Sequence, residues 1–359
     1  TDVTGVQTCA LPISMWRDGG GSDIFQTRVT SKPISNFSIE NLLQKMKIPE
    51  FGDVVAAHAR IAPYVHRTPL YSSESINAIT GGELFFKCEN FQKVGAFKFR
   101  GACNAVFSLS EEEAARGVAT HSSGNHAAAL ALAARMRGIP AYIVMPRTAP
   151  EIKKKAVAGY GGIITYCEPT LQAREETLAG VVAQTGAAIV HPYDNAWVIA
   201  GQGTAAKEMI EDAGSFDLIL APVGGGGLLS GTALSAKALS PGCRVIATEP
   251  AGADDAFRSF HAGKIFPSEN PVTIADGLLT SLGQRNFAII MDKVDDIVTV
   301  SEEKIIEAMR LVWERMKIII EPSSAVPLGA ILEGKIGVSG MKTGIILSGG
   351  NLDLGKLPF

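Results

Sequence analysis

One lysine, Lys98, stands between two phenylalanines in the run Val94-Gly-Ala-Phe-Lys-Phe-Arg-Gly101. A lysine amine condenses with an aldehyde to form a Schiff base when its surroundings leave it neutral and nucleophilic. Apolar flanks do this by disfavouring the ammonium form. Alone the run is weak, because a lysine between aromatics is more often a surface residue whose stem lies across apolar neighbours.

Three further segments supply what such a lysine would need. Gly224 to Gly227 are four successive glycines between a strand-like run, Asp217 to Val223, and a helix-like run from Leu228. Backbone N–H groups freed by glycine, with a helix N-terminus behind them, make a cradle for phosphate. No lysine follows, so this is not a Walker loop, and the spacing misses the dinucleotide fingerprint. His121-Ser-Ser-Gly-Asn-His126 brings hydroxyls, an amide and N–H groups to a second helix start, where a carboxylate could bind. It reads equally as a capping turn with Ser122 or Ser123 as N-cap. Leu347-Ser-Gly-Gly-Asn351 ends a strand, and Ser348 could bond a heterocycle nitrogen. Lysine, phosphate loop, carboxylate pocket and strand-end serine together fit pyridoxal phosphate.

The elements that must position these groups follow from periodicity. Strand-like runs are expected at 83–88, 117–120, 141–145, 163–166, 188–191, 218–223 and 244–249. Helix-like runs are expected at 38–46, 54–65, 101–109, 125–137, 151–158, 173–185, 200–212 and 228–239. Such alternation implies α/β architecture with parallel sheets covered by helices. Two lobes are expected: a large one from 34–115 and 196–359, and a small one from 116–195. Residues 1–33 lack periodic apolar pattern and resemble translated adapter read-through. They are expected to be a non-native or disordered segment, and they do not read as a signal peptide.

Of the 359 residues, 46 % are apolar and 19 % charged, which suits a folded chain rather than a disordered one. The net charge of −3 and the absence of a basic patch point away from nucleic acid and anionic membranes. No apolar run approaches the ~20 residues of a membrane span. Cys9, Cys88, Cys103, Cys167 and Cys243 are scattered and form no C-x-x-C pair, so free thiols in a cytoplasmic protein are expected.

The chain resembles the serine racemase and serine/threonine dehydratase family of fold type II pyridoxal-phosphate enzymes. The resemblance runs from about Pro49 to Leu354 and rests on the motifs above together with I-A-G-Q-G-T, T-I-A-D-G-L and L-V-W-E-R-M-K. It implies a cofactor Schiff base on Lys98, which then serves as base, and a ring packed by Phe97. Asn125 would bond the ring hydroxyl. Gly224, Gly225, Gly226, Gly227 and the Leu228 N–H would hold phosphate, with Ser348 at the pyridine nitrogen. Ser122, Asn125 and His126 would hold the substrate carboxylate, and Ser123 would be the opposite acid/base. Arg174 would lie near the substrate gate. Glu249-Pro-Ala-Gly-Ala-Asp-Asp255 matches a Mg²⁺ (or Mn²⁺/Ca²⁺) site formed by Glu249, the Ala253 carbonyl and Asp255, and hard oxygen ligands suit such cations.

Tyr160 and Lys317 match positions of the nucleotide site in animal serine racemases, but Val94 replaces a threonine and Ala128 a glutamine there. ATP activation is therefore not expected. Tyr193 replaces an asparagine of those racemases and is more like threonine dehydratases. The C-terminus shortly after the Ser348 loop suggests no regulatory domain. The resemblance thus implies an L-serine/L-threonine ammonia-lyase, with racemisation as a further activity, working as a homodimer on small hydroxy-amino acids. Serine racemase as the main activity, a threo-3-hydroxyaspartate lyase, and a silent amino-acid sensor stay open as alternatives.

Overall fold

The computed structural model describes residues 47–359. The expectations for residues 1–33 and for a helix at 38–46 lie outside the described residues, as does Cys9. Among the described residues there are ten strands: β1 (Leu70–Ser72), β2 (Glu83–Cys88), β3 (Val118–His121), β4 (Ala141–Pro146), β5 (Ile163–Cys167), β6 (Ala188–Ile189), β7 (Leu218–Pro222), β8 (Arg244–Pro250), β9 (Asp296–Val300) and β10 (Lys342–Leu347). The helices are α1 (Phe51–Ile61), α2 (Glu74–Thr80), α3 (Lys98–Phe107), α4 (Glu111–Ala115), α5 (Asn125–Arg137), α6 (Glu151–Gly159), α7 (Leu171–Thr185), α8 (Ala196–Ala213), α9 (Gly227–Leu239), α10 (Asp255–Ala262), α11 (Gln284–Lys293), α12 (Glu302–Met316) and α13 (Pro322–Leu332).

The strands form two sheets. One has the order β1-β2-β10-β7-β8-β9 and the other β5-β4-β3-β6. Only β1 runs antiparallel, against β2; every other pair is parallel. The fold is therefore α/β with two helix-covered, mostly parallel sheets. Burial explains the patterning: all five residues of β7 are buried, as a central parallel strand covered on both faces requires.

Helices pack by close backbone approach. A Cβ on Gly231 of α9 would lie 2.4 Å from the Gly203 nitrogen of α8, and one on Gly201 would lie 2.7 Å from the Arg100 oxygen of α3. Larger side chains at these positions would force α3, α8 and α9 apart, at about 1–3 kcal/mol or more for overpacking. Through α8, which packs against both, these contacts position the lysine helix relative to the helix that opens at the glycine loop.

One boundary differs with consequence for chemistry. The sequence pattern places a helix start at Gly101, yet α3 begins at Lys98, and Phe97 is already in the right-handed helical region. The Phe97 N–H donates to the Ser348 carbonyl at 2.9 Å, which anchors the helix start to the loop after β10. Two other expected helices, 54–65 and 200–212, begin earlier than expected, at Phe51 and Ala196.

Arg100 follows inside α3, fully buried with Glu89, Lys87 and Glu208. Its guanidinium bonds both Glu89 oxygens (2.7 and 2.9 Å) and both Glu208 oxygens (2.7 Å each), and Lys87 adds a 2.8 Å bond to Glu208. Burial alone would raise the Glu208 pKa, but the Arg100 bonds and the Arg100 and Lys87 charges outweigh it and hold it at about 2.

Candidate active site

Lys98 enters a cavity of about 220 Å³ lined from both sheets' connections: Phe97, Ser122 to His126, Arg174, Pro192, Tyr193, Gly224 to Leu228, Glu321 and Ser348. Its Nζ donates to the Pro192 carbonyl at 3.0 Å and lies 5.1 Å from the Phe97 ring centroid. Burial, opposed by the nearby Glu321 carboxylate, lowers its pKa to about 8. The neutral amine, the form a nucleophile or base requires, is thus far more populated near physiological pH than in an ordinary lysine, though the ammonium still predominates below pH 8.

The glycine loop joins β7 to α9. Gly226 has φ +92°, a conformation that side chains other than glycine rarely adopt. A Cβ on Gly225 would meet the Tyr193 ring at 2.3 Å. Among the described residues, none of the N–H groups of Gly224 through Leu228 finds a protein acceptor, while the Ser230 N–H already closes the first helical turn onto Gly226. Unpaired N–H groups at a helix N-terminus are what an anion fills.

The second turn is built alike. The N-cap of α5 is Gly124, with no side-chain cap, so neither Ser122 nor Ser123 caps the helix. Ser122 Oγ instead accepts a long 3.4 Å bond from the Gly124 N–H, and the N–H groups of Ser123, Asn125 and His126 have no acceptor among the described residues. His126 is buried, and its Nε2 faces the Val190 carbonyl at 3.1 Å. A carbonyl only accepts, so this nitrogen carries the proton. Burial, then the Lys98 charge, lowers the His126 pKa to about 3, which leaves Nδ1 a bare, partnerless acceptor. A carboxylate here would be met by main-chain N–H groups rather than by an imidazolium.

Ser348 is buried, with Oγ 3.1 Å from Ser324 Oγ. Asn125 Nδ2 donates to both Glu321 oxygens at 3.2 Å, and its Oδ1 accepts from Asn351 Nδ2 at 3.0 Å. Glu321 is absent from the motif reading. Burial, opposed by the Asn125 bond, raises its pKa to about 7. The signal for it is a Glu-Pro pair opening a helical run, since Glu321 is the N-cap residue and Pro322 the first helical residue of α13. Arg174 also lines the cavity, and its buried Nε has no partner among the described residues.

Val94, Ala128 and Tyr160 line a neighbouring cavity of about 450 Å³ that shares Asn125 and Asn351 with the first; Lys317 does not line it. Glu249 and Asp255 are brought together behind β8. Both Glu249 oxygens accept first-turn N–H bonds of α10, from Ala256 (3.0 Å) and Phe257 (2.8 Å). Neither Asp255 oxygen meets a partner of hydrogen-bond geometry among the described residues. Burial raises Glu249 to about 9, against those two N–H bonds, and raises Asp255 to about 6, against nearby Ser268. No cluster of three His, Cys, Asp or Glu side chains occurs among the described residues. Cys88, Cys103, Cys167 and Cys243 are buried free thiols, and no described helix is long and apolar enough to cross a membrane.

Comparison with known proteins agrees with this geometry. Residues 61–349 match the model of the pyridoxal-phosphate dependent enzyme family. The chain belongs to that family. Within it, the chain is 54% identical over 314 residues to a beta-hydroxyaspartate dehydratase of Paracoccus denitrificans, covering 88% of this chain and all of the relative. The crystal structure of serine racemase from Dictyostelium discoideum superposes with a TM-score of 0.82 at 50% identity, covering 86% of this chain and all of that one. That of maize serine racemase gives 0.84 at 48% identity, covering 86% and 95%. The residues fit the family's cofactor: a reactive amine and five unpaired N–H groups share one cavity.

Proposed function

We propose that the protein is an ammonia-lyase acting on L-serine and L-threonine, releasing 2-keto acid and ammonia, with serine racemisation as an activity of the same pocket. The observation that carries this reading is a lysine amine of lowered pKa in one cavity with two separate sets of unpaired N–H groups. One set, Gly224 to Leu228, would hold the cofactor phosphate; the other, at Ser123, Asn125 and His126, would hold the substrate carboxylate. Pyridoxal phosphate supplies the electron sink that makes an amino acid's α-proton acidic.

Lys98, once released to its Pro192 acceptor, would take that proton. Phe97 would pack the cofactor ring, Asn125, held by Glu321, would face its hydroxyl, and Ser348 would face its nitrogen. The Ser123 hydroxyl, which has no hydrogen bond among the described residues, would return a proton when racemisation occurs. Glu249, the Ala253 carbonyl and Asp255 would bind Mg²⁺, Mn²⁺ or Ca²⁺ in a structural or activating role; the two unpaired Asp255 oxygens support this. The active form would be a homodimer, checked by light scattering.

A second reading has its own support. The partnerless Arg174 Nε in the cavity suits a second carboxylate, as in L-threo-3-hydroxyaspartate. One experiment separates the readings: the cofactor-loaded protein with Mg²⁺ is incubated with each of the three substrates, and keto acid and residual chirality are measured. Keto acid from serine and threonine exceeding D-serine supports the lyase. D-serine forming faster than pyruvate makes racemisation the main activity. Faster turnover of hydroxyaspartate, lost selectively in Arg174→Ala, supports the second reading. No product from any of them, or a cofactor absorbance unchanged in Lys98→Ala, overturns the proposal.

A further inference from the structure

Asn286 belongs to no recognised motif and does not line the cavity, yet it touches the machinery from behind. It lies in the first turn of α11 and is fully buried. Its Nδ2 donates to the Gly225 carbonyl at 2.8 Å and to the Tyr193 carbonyl at 3.1 Å. Two carbonyl acceptors fix which end of the amide faces them, because only the NH₂ end donates. Its Oδ1 is buried and has no partner among the described residues. An orphaned buried oxygen costs stability, so packing alone does not explain an amide here. The Gly283 N–H adds a second bond to the Gly225 carbonyl at 3.2 Å. Asp194 holds α11 in place by accepting from the Gln284 and Arg285 N–H groups at 3.2 and 3.1 Å.

A peptide unit is planar and trans, so the carbonyl of Gly225 and the N–H of Gly226 point to opposite sides. Drawing the Gly225 carbonyl out toward Asn286 therefore turns the Gly226 N–H inward, where it has no protein acceptor. Between two glycines this peptide has little intrinsic preference for either orientation, since neither flank carries a Cβ. Reversed, it would aim a carbonyl at the anion site. We infer that Asn286 is a positioning residue that locks the Gly225–Gly226 peptide with its N–H toward the cavity, so that the phosphate cradle is formed before the cofactor arrives. The inference rests on the family's cofactor lying in this cavity.

The test compares two probes, pyridoxal 5′-phosphate and pyridoxal, which share the aldehyde and differ in the phosphate. Their dissociation constants are measured on the cofactor-stripped full chain, alongside its unfolding temperature. Asn286→Leu removes both donors at similar size. The expected result is a roughly 10–100-fold weaker affinity for pyridoxal phosphate, the worth of a charge-assisted hydrogen bond, with pyridoxal affinity unchanged. Asn286→Asp keeps the shape, replaces the donor with acceptors, and serves as the second variant if Asn286→Leu fails to fold; the same selective loss is expected. Retained preference for pyridoxal phosphate, or equal weakening toward both probes, overturns the assignment. A parent protein that binds neither probe would instead overturn the cofactor reading itself.

Discussion

Two of the buried ionisable clusters among the described residues have opposite character. Around Arg100, two cations meet two carboxylates, and every Glu89 and Glu208 oxygen accepts from Arg100. Between the end of β8 and the start of α10, Glu249 and Asp255 are buried together; among the described residues no cation is bonded to either, and both Asp255 oxygens lack a partner. The first is complete within the chain and holds the lysine helix in place. The second is incomplete: burial favours the protonated form of Glu249, and an Asp255 carboxylate buried without compensation is unfavourable. Buried charge that is satisfied reads as structure; the open pair is where the proposed cation would act.

The largest expected effect breaks the complete cluster. Arg100→Met leaves buried Glu89 with no cation and Glu208 with Lys87 alone, and should lower the unfolding free energy by about 3–5 kcal/mol. Denaturant titration at neutral pH, without divalent cations, measures it. Asp255→Asn under the same conditions should leave stability within about 1 kcal/mol or raise it, because it removes an uncompensated charge.

A cation sharpens the contrast. With Mg²⁺ at about a hundred times its dissociation constant, the parent should gain about 2.7 kcal/mol. Asp255→Asn should gain nothing, and equal gains in both would remove the metal from this site. The two clusters should also respond to acid with opposite sign. Glu208 has its pKa lowered to about 2, so its contribution is full above the ordinary carboxylate range and disappears as pH falls through 2. Asp255 and Glu249 have pKa values raised to about 6 and about 9. Their contribution is full below the ordinary range and is lost as pH rises through 6 and then 9. Unfolding in chelator from pH 2 to 9 checks both limbs, and Asp255→Asn should flatten the one near 6. The smallest effect belongs to an exposed pair: Asp212→Asn, which removes the 2.5 Å contact with the half-exposed Arg67, should change stability by about 0–1 kcal/mol.

Much of the site is legible along the chain, because its parts are local. Four glycines between a strand and a helix make a cradle wherever the chain runs, and the structure places β7 and α9 on either side of them. Lys98, the serine turn and Ser348 are likewise recognisable from short runs, and so is the alternation that yields parallel sheets. Strands β1 and β9, each five residues or fewer, and helices α2, α4 and α10 to α13 do not emerge from periodicity.

What only the tertiary structure decided concerns groups whose role depends on partners distant in sequence. Glu321 is a plain Glu-Pro until Asn125, 196 residues away, donates to it. Asn286 is an ordinary helix residue in sequence until it meets Gly225, 61 residues away. The His126 tautomer is set by the Val190 carbonyl, and the lysine's lowered pKa by burial. The residue types and their local order specified which chemistry the chain could perform. Proton positions, peptide orientation and pKa values were left to the folded state, because hydrogen bonding and desolvation act through space rather than along the chain.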